Sequence, residues 1–559
     1  DANGGGATAI GGLSDAVTTA TSNIGLGSGA LDSLASGGNF NTAVGINAGT
    51  TVSTGTMNVF MGLNAGQYVS SGGSNIGIGK SALERGSTEH NNIAIGSQAM
   101  GGAYGQSATG ASNIALGNDA LRYGAQSNGG NNIAIGSKAL YGSNGNSSGA
   151  NYNIGIGIES LEAITTGDYN VGLGYKTLEA NTTGEDNVAI GGRDTMGANT
   201  LKALTSGTRN VAIGHNALDA ADTESDNIAI GYDALGGSVA GGEFNIAIGN
   251  YTLDSLTSAD RSIAIGYQAG TAVTTGGDHV MIGHTAGAAI TNQATGVFIG
   301  YRAGVSSTGY SETVVGSQAG TNGTGYNTVV GHNAMTSGTG SANTFIGWNA
   351  GQGVASNAAN QNVGIGADSL KDLTTGSYNL GVGRSAGQNI TSGQKNIILS
   401  SNNGASSLTT GSYNVLIGNA DVSSATVGQS LTISDGSGNL TWITADNAGD
   451  VTIPSGGLTV EQEFQAKRGK VSTLGGNTTL SDTYAGKYII VNNTATLTLP
   501  ASPAAGEQYI IISDTANTVT ISANGSDTMN GSTTNQTITT RYEAKTFIAT
   551  SSSAWIVVG

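Results

Sequence analysis

Cysteine is absent from this 559-residue chain, which excludes a disulfide framework and any thiolate metal site. Proline is nearly absent: Pro454, Pro500 and Pro503 are the only three. Proline cannot donate to a β-ladder, so everything before Pro454 is open to continuous strand pairing. Aromatic residues make up 5 %, too few for a large globular core. Basic residues are scarce as well, 19 Lys and Arg against 36 Asp and Glu, for a net charge of −17. Nucleic acid, which needs a basic surface, is therefore excluded as a partner. No apolar run reaches the ~18 residues of a membrane-spanning helix, so no membrane insertion is expected. Pairs such as Gly25-Leu26-Gly27 and Gly155-Ile156-Gly157 lack the following helix of a dinucleotide fold, and no P-loop is present. No cofactor and no metal site are expected. The acids are scattered through turns (Asp119, Glu159, Asp233, Asp368) rather than paired for catalysis, so no catalytic residue is assigned.

What the chain has is glycine, 94 residues of it, returning at set positions. A five-residue core of Asn, apolar, small, apolar and Gly recurs as Asn92 to Gly96, Asn227 to Gly231 and Asn414 to Gly418. Its glycine returns from Gly27 to Gly418 in 23 units, Ser400 standing in once, and 11 of the 22 steps are 17 residues long. So short a fixed period predicts stacked coils, an all-β solenoid, rather than a string of domains. Asn heads 19 of the 23 units, the exceptions being Ser262, His279, Gly296 and Glu312. Stacked Asn amides can hydrogen-bond up and down a ladder, and Gly suits a corner with positive φ. Side chains alternate along a strand, so the two apolar residues are expected to point inward together. The small residue (Ala94, Gly172, Ala247) is then expected outward, toward a second surface. Turn signals such as Thr165-Thr166-Gly167 close the unit, and each coil is expected to hold two short strands and two tight turns. The rise of about 4.8 Å per coil predicts a rod on the order of 100 Å.

The repeated core resembles the head repeat of YadA-like trimeric adhesins, left-handed parallel β-rolls, although those repeats are typically shorter than 17 residues. It is also similar to the shafts of bacteriophage tail fibres. That resemblance implies a homotrimer, with the small-residue face at the seam. Residues 1–20 are expected to be a cap or the continuation of an upstream part, 21–420 the shaft, 421–470 a hairpin and connector, and 471–559 a terminal domain. The hairpin is carried by Gly428 to Trp442, with Asp-Gly and Gly-Asn turns. Six strand patterns from Lys487 to Val558 predict a small antiparallel sandwich-like domain, similar to the terminal domain of phage fibres. The resemblance implies an adhesive fibre, extracellular and virion-borne, engaging a bacterial glycan or protein receptor and neighbouring virion proteins. A bacterial surface adhesin is the rival reading, and a polysaccharide-cleaving tailspike is a third.

One column carries candidate contacts. The residue after the repeat glycine runs His215, Tyr232, Tyr267, His284, Tyr301, His332 and Trp348 through the middle of the shaft. Side chains in such a column stack about 5 Å apart. They are expected either to bind sugar or to stabilise a turn or seam, and Tyr542 and Trp555 are the candidates in the terminal domain.

Overall fold

A computed structural model describes residues 16–19, 22–86, 88–102, 110–123, 129–142, 149–192, 199–237, 240–293, 295–353, 359–435, 437, 441–446, 448, 451–452, 471–474, 476–481, 485–486, 488–514 and 518–559. Most of the expected cap (residues 1–15 and 20) and the end of the expected hairpin and connector segment (residues 453–470) lie outside the described residues. The chain divides into two compact units, Asp1–Gly456 and Gly457–Gly559, and every described element is a strand or a turn.

The first unit is a solenoid. Strand β1 (Ala16–Thr19) is followed by 23 coil strands, β2 (Asn23–Leu26) through β24 (Val415–Ile417), most of them three residues long. Each coil strand pairs in parallel with the next, small residue against small residue, as in Ala229↔Ala247 and Ala247↔Ala264. The coil differs from expectation in one respect: it holds a single strand, and the Ala-Leu segment after the glycine forms consecutive turns instead of a second strand. The backbone explains this, because two positions of that segment, such as Asn216 (φ 56°) and Leu218 (φ 53°), adopt left-handed conformations that no strand can hold.

The alternation of the strand is also the reverse of the expected one. Ala94, Ala189 and Ala229 are fully buried, whereas the flanking residues are partly or well exposed, Ile95 at 40 %. The interior is too narrow for three large side chains per coil. It is filled instead by Asn, the small strand residue, the Ala and Leu of the turn segment, and one Leu, Ile or Val of the closing turn, such as Leu204 or Ile290. Volumes are exchanged between two of these sites. Where the strand residue is large, as at Phe60, Phe298 and Phe345, the turn position six residues on is Gly66, Gly304 or Gly351. In many coils where the strand residue is small, as at Ala247, that position is a leucine, Leu253; where it is glycine, as at Gly49 and Gly270, the large Phe60 or Met281 of the next coil takes the space.

The asparagine ladder runs as expected. The backbone N–H and side-chain amide of Asn396 both donate to Asn379 Oδ1 (3.0 and 2.9 Å), and the same amide donates to the Gly411 carbonyl at 3.0 Å. Asn414 repeats the pattern onto Asn396 Oδ1. Gly79 shows why the corner requires glycine: its φ is +130°, and a Cβ there would lie 2.5 Å from the carbonyl oxygen of Gly96 in the next coil. Where Ser400 replaces the glycine, the ladder bulges between Val382 and Arg384.

Both ends of the ladder turn antiparallel. At the start β1 pairs antiparallel with β2. At the other end β25 (Leu431–Ser434) adds one more parallel rung to β24, followed by β26 (Thr441–Ala445) and β27 (Val451–Thr452) as an antiparallel meander. The expected hairpin is therefore present, but as the closing rungs of the solenoid rather than a separate connector.

The second unit has two sheets over one core. Strands β28 (Val471–Leu474), β30 (Tyr488–Val491) and β32 (Gln508–Ser513) pair in parallel, as do β29 (Thr478–Thr479), β31 (Ala495–Thr498) and β33 (Val519–Ser522). Strand β34 (Thr528–Met529) pairs in parallel with β37 (Ala554–Val558), while β35 (Gln536–Ile538) and β36 (Ala544–Ser551) join antiparallel. Two layers were expected, but the pairing is mixed. Successive strands switch sheets, so each sheet receives alternate strands running the same way.

Candidate functional site

One side of the solenoid differs chemically from the rest. Among the described coils up to Ile417, all exposed large apolar residues except Tyr68 and Tyr310 lie between the residue before the repeat Asn and the residue after the repeat Gly. The centre of this face is the two outward columns of the strand. They are Ile, Val, Leu or Met from Ile24 and Leu26 to Val415 and Ile417, broken only by Thr42, Thr313, Thr328 and Thr344, and they carry no charge. Three extended residues across and about 24 rungs long give a flat strip of roughly 10 by 110 Å, on the order of 1,100 Å². The largest apolar patch on an ordinary monomer is about 300–600 Å².

A side-chain rail borders the strip at each end of the strand. The trailing rail, after the glycine, is the column anticipated from the sequence. His215 stacks on Tyr232 with ring centroids 5.4 Å apart and planes 6° from parallel. Tyr267 stacks on His284 at 5.1 Å, and His284 meets Tyr301 at 5.4 Å. The gap between Tyr232 and Tyr267 is filled by Tyr251, edge-on to both at 5.3 and 6.0 Å. Tyr251 does not stand out in the sequence because it sits one place later in its coil, after Asn250. Ser317 separates this stack from His332 and Trp348, which occupy the same rail higher up. Where rings stack along the column, as His215 on Tyr232 and Tyr267 on His284, their faces cover one another.

The leading rail, before the Asn, is not apparent from the repeat core, because its residues vary from coil to coil. Their shared feature is backbone: Tyr152 (φ 57°), Tyr169 (φ 59°), Asp226 (φ 61°) and Tyr378 (φ 62°) are all left-handed, which turns the side chain off the strand end. Neighbouring rungs interact along it. Tyr152 stacks on Tyr169 at 5.0 Å and 3°. Arg209 donates to both carboxylate oxygens of Asp226 (2.6 and 2.8 Å), and Arg261 does the same to Asp278 (2.7 and 3.1 Å). These guanidinium groups hold the Asp226 and Asp278 carboxyls below their usual range. The Lys395 ammonium lies over the rings of both Tyr378 and Tyr413, at 5.9 and 5.0 Å.

Two further groupings have structural explanations. Glu159, Glu162 and Glu179 bring carboxylate oxygens together. Lys176 and Lys138 are interleaved with them, with Lys176 Nζ 2.9 Å from Glu159 and 2.6 Å from Glu179, and Lys138 Nζ 3.3 Å from Glu162. A cleft of about 570 Å³ at the closing rungs is lined by Asp421, Thr432, Thr444 and Asp446 among others. The Asp421 carboxylate there accepts hydrogen bonds from Ser406, Ser407 and Val422.

No protein-family model and no curated protein matches this sequence.

The terminal-domain candidates separate. Tyr542 is exposed, with the Arg541 guanidinium 4.7 Å over its ring. Trp555 is a correction: it is 1 % exposed, packed edge-on against Tyr509 at 5.6 Å in the core of the second unit, and cannot meet a receptor. It lies on the inward-facing side of β37, which the alternation of Trp-Ile-Val-Val does not reveal because both sides are apolar.

Proposed function

We propose that the chain is a structural and adhesive fibre protein of the phage tail-fibre type. In this reading it assembles as a homotrimer that projects a receptor-binding tip toward a bacterial surface. The observation that carries it is the uncharged strip along the whole solenoid. An apolar area on the order of 1,100 Å² per chain is unfavourable in water and of a size that obligate subunits bury. Covering it with further copies of the chain leaves only the polar sides of the coils outward. The solenoid supplies reach and stiffness, because every coil is hydrogen-bonded to its neighbours. Repeated weak contacts by three chains supply avidity without a deep pocket.

The test is native mass and negative-stain imaging of the purified chain, alongside the double variant Ile156→Lys and Ile230→Lys. Both side chains are on the strip, so the substitutions leave the coil interior unchanged. The expected result is a three-chain rod for the native sequence and single folded chains for the variant. A native sequence that runs as a stable single chain would overturn the proposal. Binding of the labelled fibre to bacterial cells, competed by cell-surface polysaccharide, tests the adhesive half.

A further inference from the structure

The two sheets of the second unit have chemically opposite outer surfaces. In β29, β31, β33 and β35 every outward residue carries a hydroxyl: Thr479, Thr496, Thr498, Thr520, Ser522 and Thr537. Their inward neighbours, such as Leu497, Ile521 and Ile538, fill the core. That is the alternation of a sheet with one face in water. The sheet containing β30, β32, β36 and β37 does not alternate in this way. Its inward side is core, through Ile489, Tyr509, Ile511 and Phe547. Its outward side is apolar as well. One row across it is Tyr488, Ile510, Thr546 and Val558, in register over four strands. The rows on either side pair Ile490 with Ile512 and Ile548 with Ile556. None of these residues is charged, and Tyr488, Ile556 and Val558 are 41, 46 and 53 % exposed. A sheet that is apolar on both faces is a sheet covered on both faces, yet among the described residues this one is open.

We propose that this face is a subunit interface of its own, at which the second units of the assembled chains pack together. Its occupant is the same face of further copies of this chain, and the hydroxyl-bearing sheet is left toward water. This rests on the fibre reading above and adds the surface by which the second units associate. The area selects the occupant. Four strands about 4.8 Å apart, with three outward rows, give a face of roughly 19 by 17 Å, on the order of 300 Å². A standard interface between free proteins takes about 800 Å² from each partner, so this face is too small to capture an unrelated protein from solution. Copies already gathered by the solenoid strip do not need that area. Only residues 453–470 lie between Thr452 and Val471, a reach of at most about 65 Å of chain, which holds the second units at an effective concentration in the millimolar range. A cyclic assembly presents the same face of every copy toward the common axis, so one surface on each chain suffices.

The absence of cysteine lets a single thiol report on each face in the full chain. Tyr488→Cys and Ile556→Cys probe the apolar face, Thr537→Cys the hydroxyl face, and each is reacted with a maleimide-linked polyethylene glycol. All three positions are exposed in one chain, so slow labelling reports cover from elsewhere. In the three-chain assembly the two apolar-face thiols are expected to react roughly tenfold or more slowly than Thr537→Cys. In the single chains produced by Ile156→Lys with Ile230→Lys, the second units are no longer gathered, and all three thiols are expected to react alike. Fast labelling of both apolar-face thiols in an assembly of three by native mass would overturn the interface and leave the fibre reading intact. Slow labelling that persists in the single chains would also overturn it, since the cover would then be the chain's own. A native sequence that is a single chain by native mass would overturn both.

Discussion

Strand and turn share one volume inside the coils, and Phe345 with Gly351 is a pair at which that sharing can be measured. Phe345 is 2 % exposed, and the turn position six residues on is Gly351, with φ +56°. A Cβ on Gly351 would lie 2.5 Å from three atoms of the Phe345 ring, so Gly351→Leu alone must displace a ring held in a strand that is paired on both sides. Overpacking of this kind costs about 1–3 kcal/mol, and the rigid surroundings place this case at the upper end. Phe345→Ala alone removes the ring and leaves a cavity, at about 3–5 kcal/mol. The double variant should be far better than either. Combining Phe345→Ala with Gly351→Leu, ahead of the native Gly364, reproduces the small, leucine, small order of Gly155, Leu161 and Gly172, and Leu161 already adopts φ 56°. Only the left-handed cost of a side chain remains, about 1–2 kcal/mol. The coupling between the two sites is then roughly 4–7 kcal/mol, above the usual 0.5–3 kcal/mol for neighbouring residues. Local stability is read by native-state hydrogen exchange of the strands Thr344–Ile346 and Val363–Ile365, which isolates these coils from the rest of the array. Additive effects of the two substitutions would refute the shared-volume account of the core.

Two other outcomes follow from the ladder and from a buried acid. Asn396→Ala removes two donated hydrogen bonds and the acceptor used by Asn414, leaving buried groups unpaired, and is expected to cost roughly 3–5 kcal/mol in the same exchange experiment. Ser262→Asn, which restores a ladder residue at a natural gap, should protect the adjacent amides by about tenfold, or ~1.4 kcal/mol. Glu89 is 4 % exposed with both carboxylate oxygens lacking partners, and burial pushes its carboxyl up to about 7 from the ordinary 4.5. Its folded form holds the proton more tightly than the unfolded form, so stability falls as pH rises from about 4.5 through 7, by about 3 kcal/mol in all. Glu89→Gln should flatten that dependence in denaturation experiments at about pH 5 and pH 8; an unchanged pH slope would refute it.

Periodicity carried most of the architecture. The 17-residue step, the Asn and Gly columns and the lack of proline specify stacked coils, a ladder and a positive-φ corner, because each requirement is local and repeats. What periodicity could not supply was direction. Ile93-Ala94-Ile95 alternates in the same way whichever side faces in, and only the width of the coil interior decides that the alanine goes inside. The turn segment after the glycine contains leucines that favour neither strand nor turn by type, and their left-handed backbone arises from closing so small a coil. The trailing rail was legible because its rings recur beside the repeat glycine. The leading rail was not, since its members share a backbone conformation rather than a side-chain type. Trp555 was misassigned for a related reason: an aromatic in an apolar strand is equally compatible with a core and a surface until the sheet is closed around it.

The parallel ladder separates the length of a coil from its rise. Gly96 and Gly117 are 21 residues apart and Gly157 and Gly174 are 17 apart, yet Ala94 pairs with Ala115 and Gly155 with Gly172 in the same register. Additional residues are absorbed between strands without altering their spacing. Mutation can therefore lengthen a coil, drop it or duplicate it while the axial repeat stays constant, so a lineage can vary what the solenoid displays along its side independently of how far it extends.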